Sequence, residues 1–158
     1  MRGYNKSGFS LIGVIVAIFI IAIGLVGILS LSQTSLKGAY LSKMRLVASG
    51  LAQEGIEVVR YTRRSQMEWD SWYGSISSGD YLVQYDSPDL LLFSETPLKF
   101  NASSGLYQYD SGHDSPFCRK IILTKLPSDK IRIVVEVKWL VMGNWHYLTV
   151  EDKLWNWK

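Results

Sequence analysis

The longest uncharged stretch of the chain constrains its fold more than any other feature. No charged residue lies between Ser7 and Leu36, and the run from Phe9 to Leu31 holds 23 residues without a charge. A helix rises about 1.5 Å per residue, so about 20 apolar residues cross the hydrocarbon core of a bilayer. The run therefore predicts a transmembrane helix at residues 9–31.

The charges that flank this run predict its orientation. Arg2 and Lys6 precede it, and the next charge is Lys37. Positive charge retains the short N-terminal side of a membrane helix in the cytoplasm, so everything after Leu36 is expected outside the cytoplasmic (inner) membrane. The alternative is a secretory signal peptide, but its apolar region is only about 7–15 residues long, and this run is longer. Hydropathy alone does not exclude the alternative of an uncleaved membrane anchor.

A second pattern continues the helix beyond the membrane. From residue 32 to residue 64 the apolar residues form a stripe at three- and four-residue spacing, which predicts an amphipathic helix packed on the rest of the chain. The stripe consists of Leu36, Tyr40, Met44, Val47, Leu51, Val58 and Thr62, widened by Ala48, Ala52 and Val59. Four small residues in the apolar half would permit close helix approach: Gly13, Ala17, Gly24 and Gly27.

The remainder of the chain, residues 65–158, predicts a small β-rich head. Apolar residues alternate from Ile131 to Trp139, Met142-Gly143-Asn144 is a turn composition, and Trp145–Asp152 returns as a hairpin partner. The strand before them is predicted at 118–125, across a turn at 126–129. Between Ser65 and Pro116 the signals weaken to short strands at 81–85 and 106–109. One long helix followed by antiparallel strands is an α+β architecture.

Charge and cysteine content exclude several functions. With 158 residues the chain has room for one modest domain and an extended element. Its net charge is +3, yet nine basic residues face twelve acidic ones after residue 64, so the basic balance gives no support to a nucleic-acid-binding head. Cys118 is the only cysteine, which excludes an intrachain disulfide and a zinc site built on cysteine and histidine.

Other candidates for chemistry are weaker. Asp110, His113 and Asp114 could present two carboxylates and an imidazole to a metal, but Gly, Ser and Asp are also the usual turn builders, and no metal or other cofactor is predicted. No nucleophile, zinc-protease or phosphate-loop motif occurs, so the chain is not expected to be an enzyme. His146 is expected as a half-buried strand residue. Arg63-Arg64 is expected to complement the helix dipole.

The junction before the apolar run is more specific. Lys6-Ser7-Gly8-Phe9-Ser10-Leu11-Ile12 resembles the leader of type IV prepilins. The resemblance implies that a prepilin peptidase cuts after Gly8 and that the exposed amine of Phe9 is N-methylated. Residues 1–8 would then be a cleaved leader, residues 9–64 the N-terminal helix and residues 65–158 the head.

The likeness extends along the helix. Val16 to Gly27 is similar to the opening of minor pilins of the PilV type. Leu51 to Arg60 is similar to the segment at the end of the N-terminal helix in such subunits. The closing Val150 to Trp157 is similar to the tails of some pilin-like proteins. The resemblance implies that other pilin subunits are the partners, through the N-terminal helix.

One position departs from the family. The fifth mature residue is normally Glu, whose carboxylate pairs with the N-terminal amine of a neighbouring subunit, whereas this chain has Gly13. An unpaired charge among membrane helices is costly, and Gly13 cannot supply the pair. Subunits without this Glu include the tip-located minor pseudopilin of type II secretion systems, so a tip or initiating position is a hypothesis here.

The sequence thus predicts a minor pilin or pseudopilin that is first inserted in the inner membrane and then enters a pilus at the cell surface or a periplasmic pseudopilus. Three alternatives remain open at this point. They are a type II secretion pseudopilin, an uncleaved membrane-anchored extracytoplasmic binding domain, and an anchored enzyme whose site lies in the loops between Ser65 and Pro116.

Overall fold

A single helix, α1, runs from Leu11 to Ser65. The sequence has no proline before Pro88, so no residue in this stretch lacks the N–H that a helix interior requires. The last turn carries Arg63 and Arg64, whose positive charges complement the negative end of the helix dipole. The prediction of one long N-terminal helix is confirmed.

The computed structural model describes residues 11–66 and 68–156, with only the backbone described at Ser87 and Pro88. The predicted cleavage and methylation sites, Gly8 and Phe9, lie outside the described residues. By its internal contacts the chain forms two compact units, which divide between Ser42 and Lys43. The described part of the first unit is helix alone, and the second unit contains the remainder of α1 and all the strands.

The second unit holds a short helix and eight strands. Helix α2 spans Trp69–Ser75. The strands are β1 (Gly79–Gln84), β2 (Ser87–Leu92), β3 (Lys99–Asn101), β4 (Leu106–Gln108), β5 (His113–Asp114), β6 (Phe117–Leu126), β7 (Lys130–Val141) and β8 (Asn144–Trp155). Five of them form an antiparallel sheet in the order β2-β1-β6-β7-β8, and the other three form a small sheet in the order β4-β3-β5. The predicted α+β class is therefore confirmed.

The meander β6–β7–β8 is the part of the head that the sequence predicts best. On β7, Ile131, Ile133, Val135, Val137 and Trp139 are all buried, and the residues between them are not. The β7–β8 turn places Met142 and Gly143 at φ 50° and 78°, a combination that matches the right-handed twist of a hairpin. The three predicted strands and both predicted turns are confirmed.

The region between Ser65 and Pro116 contains more regular structure than predicted. The short strands expected near residues 81–85 and 106–109 are present as β1 and β4, whereas α2, β2, β3 and β5 were not predicted. One glycine here is required by geometry. Gly112 has φ 122°, and a Cβ at this residue would lie 2.5 Å from the carbonyl oxygen of Phe100. Short strands of two or three residues carry too little alternation to be read from a pattern.

The C-terminal part of α1 forms one wall of the core. Its buried residues are Ala48, Leu51, Ala52, Gly55, Ile56, Val58, Val59 and Thr62. Gly55 allows the helix to approach the sheet closely, because a Cβ there would lie 2.9 Å from Ile121 Cδ1 and 3.1 Å from Val135 Cγ1. The predicted packing of the helix on the sheet is confirmed.

The predicted stripe needs two corrections. Leu36 is 68% exposed and Tyr40 is 45% exposed, so neither joins the core. Gly55 and Ile56 are buried but were not part of the stripe. The periodic pattern could not show where the sheet ends beside the helix, and a glycine does not count among the apolar residues that define such a stripe.

Candidate assembly site on helix α1

The apolar half of α1 is exposed on every side. Each of its large apolar residues from Leu11 to Leu31 is at least 36% exposed within this chain, and there are fifteen of them. Burying such a side chain is worth about 1.5–3 kcal/mol, so leaving the whole set in water would cost on the order of 20 kcal/mol or more. That exceeds the net stability of a typical domain, about 5–15 kcal/mol. This surface requires lipid or other helices around it.

The same segment is suited to a bilayer. Among the described residues, α1 is the one helix long and apolar enough to cross a membrane, and 0% of its most apolar 18-residue window is buried. The core helix of a soluble protein passes the same length and composition test but is mostly buried, which this window is not. The exposure therefore favours a membrane segment over a core helix.

The small residues predicted to allow close helix packing lie on one face. At about 100° per residue, Gly13, Ala17, Gly24 and Gly27 fall within an arc of about 80° on α1. Apart from the adjacent residues and the nearby backbone of α1 itself, no heavy atom of the described residues lies within 4 Å of a Cβ built on any of the three glycines. Each glycine costs about 1 kcal/mol relative to Ala inside a helix. Gly55 is needed within this chain, but nothing among the described residues requires these three.

Arg119 is a buried structural residue that the sequence pattern did not reveal. Its side chain is completely buried, with 0% exposure, and it joins three backbone segments. Nη1 donates to the carbonyl oxygen of Leu51 at 3.0 Å and to Glu54 Oε1 at 2.9 Å, and Nη2 donates to the carbonyl oxygen of Val83 at 2.7 Å. It thereby holds the part of α1 in the second unit to strands β6 and β1.

A sequence signal for this link existed but was ambiguous. Glu54 is not one of the apolar residues of the predicted stripe, yet it lies one turn from the buried residues Leu51 and Val58. On β6, Arg119 occupies the inward-facing position between Phe117 and Ile121. A charge at an inward position, together with a carboxylate on the packed helix, is what a buried pair requires.

The loop cluster considered for a metal does not assemble. Asp110 Oδ2 accepts a hydrogen bond from Gln84 Nε2 at 2.7 Å, while His113 and Asp114 are exposed on β5. Within residues 11–66 and 68–156, no group of three His, Cys, Asp or Glu side chains could hold a metal ion. Gln84 also accepts from the N–H of Tyr109 at 2.8 Å. Asp110 therefore belongs to a partly buried polar link between β1 and the loop after β4.

Four other residues lie in surroundings that indicate a structural role. His146 is half-buried on β8, where its ring stacks on Trp139 at 5.6 Å, as expected. Burial raises the pKa of the Cys118 thiol, which disfavours the reactive thiolate at neutral pH. Trp69 and Trp72 are both buried beside each other in α2, so they serve the core.

The comparisons with known proteins agree with the leader. Residues 3–29 match the family model described as the prokaryotic N-terminal methylation motif. The comparison with curated proteins found no match, and neither did the comparison with solved structures. The match covers the residues around Gly8 and the first turns of α1, and it ends before the amphipathic part of the helix.

Taken with the exposed apolar helix, this match indicates the class of protein that the N-terminal part of the chain resembles. The chain carries a type IV pilin-like prepilin leader, and the exposed apolar helix suits a pilin-like precursor that is anchored in the membrane. Proteins with this leader are structural subunits that prepilin peptidase processes and that assemble with other pilins.

Proposed function

We propose that this chain is a minor pilin or pseudopilin, a structural subunit of a type IV pilus or related fibre and not an enzyme. Prepilin peptidase cuts the precursor after Gly8, and Phe9 becomes the N-methylated first residue. The observation that carries the proposal is the bare apolar helix whose first turns lie within the match to a methylation motif. A cleaved signal peptide would discard this helix, whereas a pilin retains it.

The exposed helix also explains how the subunit moves from the membrane into a fibre. In the membrane, lipid surrounds the apolar half of α1. On extraction into a fibre, the helices of neighbouring subunits replace the lipid, so the apolar surface stays out of water throughout. The face formed by Gly13, Ala17, Gly24 and Gly27 lets another helix approach the α1 backbone closely. Head and helix are exported together, which leaves the head in the periplasm or at the cell surface.

Gly13 affects how the subunit enters a fibre. It cannot neutralise the terminal amine of an earlier subunit, so entry does not depend on that pair. This supports an initiating position. If so, Gly13→Glu should change the position or the frequency of the subunit in fibres, measured by immunogold labelling of fibre ends and shafts. Gly13→Ala, which adds no carboxylate, is the control; identical labelling for all three proteins would refute the initiating role.

The decisive experiment measures the N-terminus of the mature protein. Full-length protein from cells with active prepilin peptidase should begin at Phe9, with or without one methyl group, when its intact mass is determined. Gly8→Val should retain Met1. An intact leader on the unaltered chain in such cells would refute the pilin assignment and favour an uncleaved anchor.

The choice between pilus and pseudopilus needs a second measurement. Fibres sheared from the cell surface contain pilus subunits, whereas a secretion pseudopilin remains in the cell envelope. Recovery of the chain in sheared fibres supports the pilus, and its absence there together with a defect in secretion supports the pseudopilus. An anchored binding domain or enzyme would enter neither assembly.

A further inference from the structure

The head contains a cleft that the proposed function does not use. It has a volume of about 740 Å³ and lies between the end of α1, helix α2 and the β1–β2 hairpin, all within the second unit. Its lining includes Tyr61, Gln66, Trp72 and Tyr85, and we call it the tyrosine cleft. Sites for small molecules typically have volumes of about 300–1,000 Å³, so the cleft is large enough for one.

The two tyrosines of the cleft have no partners within the part of the chain that the structure describes. Tyr61 is 63% exposed and Tyr85 is 41% exposed. Neither ring contacts another aromatic ring or a cation there, and neither hydroxyl takes part in a hydrogen bond. An aromatic face is an apolar surface, whereas the phenol hydroxyl both donates and accepts hydrogen bonds. The cleft thus offers apolar faces and polar groups side by side.

Trp72 adds a hydrogen-bond donor. Its ring lines the cleft and is only 4% exposed, and its indole N–H donates to none of the described residues. Unlike the N–H groups of Trp69 and Trp139, it is not fully enclosed by protein, so solvent reaches it. The amide of Gln66, at the edge of the cleft, is exposed and makes no side-chain hydrogen bond to a described residue. A ligand oxygen could therefore pair with both groups.

The acidic residues of the cleft are already engaged. Asp86 Oδ1 accepts a hydrogen bond from Gln84 Nε2 at 2.7 Å, and Asp89 interacts with another group of this chain. No Lys or Arg is among the described residues that line the cleft, so an anion would meet no opposite charge. The groups that remain available are uncharged, namely the two tyrosines, the amide and the indole. They favour an uncharged ligand that can form several hydrogen bonds.

The turn that carries Tyr85 is held in place by hydrogen bonds. Gln84 is only 8% exposed, and its Nε2 donates to Asp86 Oδ1 and to Asp110 Oδ2, each at 2.7 Å. Gln84 Oε1 accepts from the N–H of Tyr109 at 2.8 Å. A site that is formed before the ligand arrives loses less conformational entropy on binding. The fixed turn therefore favours binding at this cleft.

We propose that the tyrosine cleft binds a neutral sugar unit of an oligosaccharide. A sugar ring has apolar C–H faces that pack on aromatic rings, and its hydroxyl groups both donate and accept hydrogen bonds. Tyr61 and Tyr85 cover the faces of the ring, while Trp72 donates to one of its oxygens. A purely apolar ligand would leave these polar groups unpaired. This binding activity goes beyond the proposed function, because it depends neither on cleavage of the leader nor on assembly.

Titration of the full-length chain with sugars tests the site. The isotope-labelled protein is kept in a detergent without a sugar headgroup, and its indole N–H signals are followed by NMR. The signal of Trp72 is identified by its loss in Trp72→Phe. The probes are maltotriose, cellotriose and triacetylchitotriose, each at up to about 10 mM, which nearly saturates a site with a Kd of about 1 mM. At least one trisaccharide should shift the Trp72 signal, whereas the signal of Trp139, outside the cleft, should stay unchanged.

Exposed tyrosines provide variants that do not disturb the core. Tyr61→Ala and Tyr85→Ala should each raise the Kd of the bound trisaccharide about tenfold, because each removes an aromatic face. Tyr85→Phe keeps the face and should raise it much less. The matched control is Tyr147→Ala, which removes a tyrosine that is 67% exposed on β8 and lies outside the cleft, and it should leave the Kd unchanged.

Three results would overturn the proposal. The first is that none of the three trisaccharides shifts the Trp72 signal. The second is a shift with trilysine, used as a cationic probe, that is larger than with any trisaccharide, which would show a site for cations. The third is a Kd that is the same in both Tyr→Ala variants as in the unaltered chain. A chain that keeps its leader or never enters a fibre would refute the subunit role alone, since binding is measured on the isolated chain.

Discussion

Arg119 shows how a single residue can join the helix and the sheet of this head. Its removal would leave the carbonyl oxygens of Leu51 and Val83 and the carboxylate of Glu54 without their donor. Each of the two buried carbonyl oxygens would lose its donor at a cost of about 1–3 kcal/mol, whereas the carboxylate of Glu54 is 28% exposed and stays in contact with water. The residue is therefore expected to be essential for head stability.

We expect Arg119→Met to lower the free energy of unfolding of the head by about 3 kcal/mol. The measurement is thermal or denaturant unfolding of the full chain in detergent. The matched control is Arg132→Met, which removes an exposed ion pair with Glu151 and should change the melting temperature little. Equal effects of the two substitutions would show that the buried link does not stabilise the head.

Two glycines of α1 allow a sharper comparison. Gly50→Ala should stabilise the helix by about 1 kcal/mol, because nothing lies within 4 Å of the added Cβ. Gly55→Ala brings the same gain in helix propensity but places the Cβ 2.9 Å from Ile121 Cδ1, and overpacking of this kind costs about 1–3 kcal/mol. We expect opposite shifts of the melting temperature. Stabilisation by both changes would contradict the close packing at Gly55.

At the scale of single residues, the sequence predicted which side chains are buried better than it predicted which residues bond to each other. Alternation along β7 was enough to identify Ile131 and Val135 as core residues, because a strand turns alternate side chains to one face. The partner of Arg119 could not be predicted, because the bond joins residues 65 positions apart in the chain. The assignments of Gly8 and Phe9 remain predictions, since they concern processing.

Among the elements, α1 carries two different surfaces. Its apolar half requires lipid or other helices around it, and its amphipathic part packs on the sheet. The predicted amphipathic part was confirmed where it meets the sheet, and its limits had to be corrected at Leu36 and Tyr40. The periodic pattern records which face is apolar but not how far the covering sheet extends. For the same reason the small strands β3 and β5 escaped prediction, because their pairing depends on distant residues rather than on local alternation.

The small-residue face of α1 leads to a prediction about assembly. Gly24→Leu together with Gly27→Leu should reduce the amount of subunit in sheared fibres several-fold, because bulky side chains keep neighbouring helices apart. Cleavage and head stability should not change. Ala22→Leu, about 180° around the helix from the glycines, is the matched control. If it reduced incorporation equally, the small-residue face would have no special role.

For the whole molecule, the division into two units predicts which fragment can fold. The sequence places the domain boundary at residue 64, where the helix pattern ends, whereas the contacts divide the chain between Ser42 and Lys43. A fragment of residues 43–158 keeps the helix wall of the core. A fragment of residues 66–158 loses it, together with both helix acceptors of Arg119.

We therefore expect the fragment 43–158 to unfold cooperatively and the fragment 66–158 to lack a cooperative transition, as measured by circular dichroism during heating. The missing wall includes Leu51, Ile56 and Val59, and the exposed sheet face would promote aggregation. Cooperative unfolding of the shorter fragment would show that the head is independent of α1 and would support the boundary at residue 64.

The continuity of α1 has a mechanical consequence. Because one unbroken helix extends from Leu11 to Ser65, tension applied through its apolar half is transmitted directly to the segment that packs on the sheet. For that segment to slide along the sheet, the hydrogen bonds of Arg119 to Leu51 and Glu54 must break together. Ile121 must also lose its packing contact with Gly55. The contacts between this helix segment and the sheet therefore resist its displacement together, not one after another.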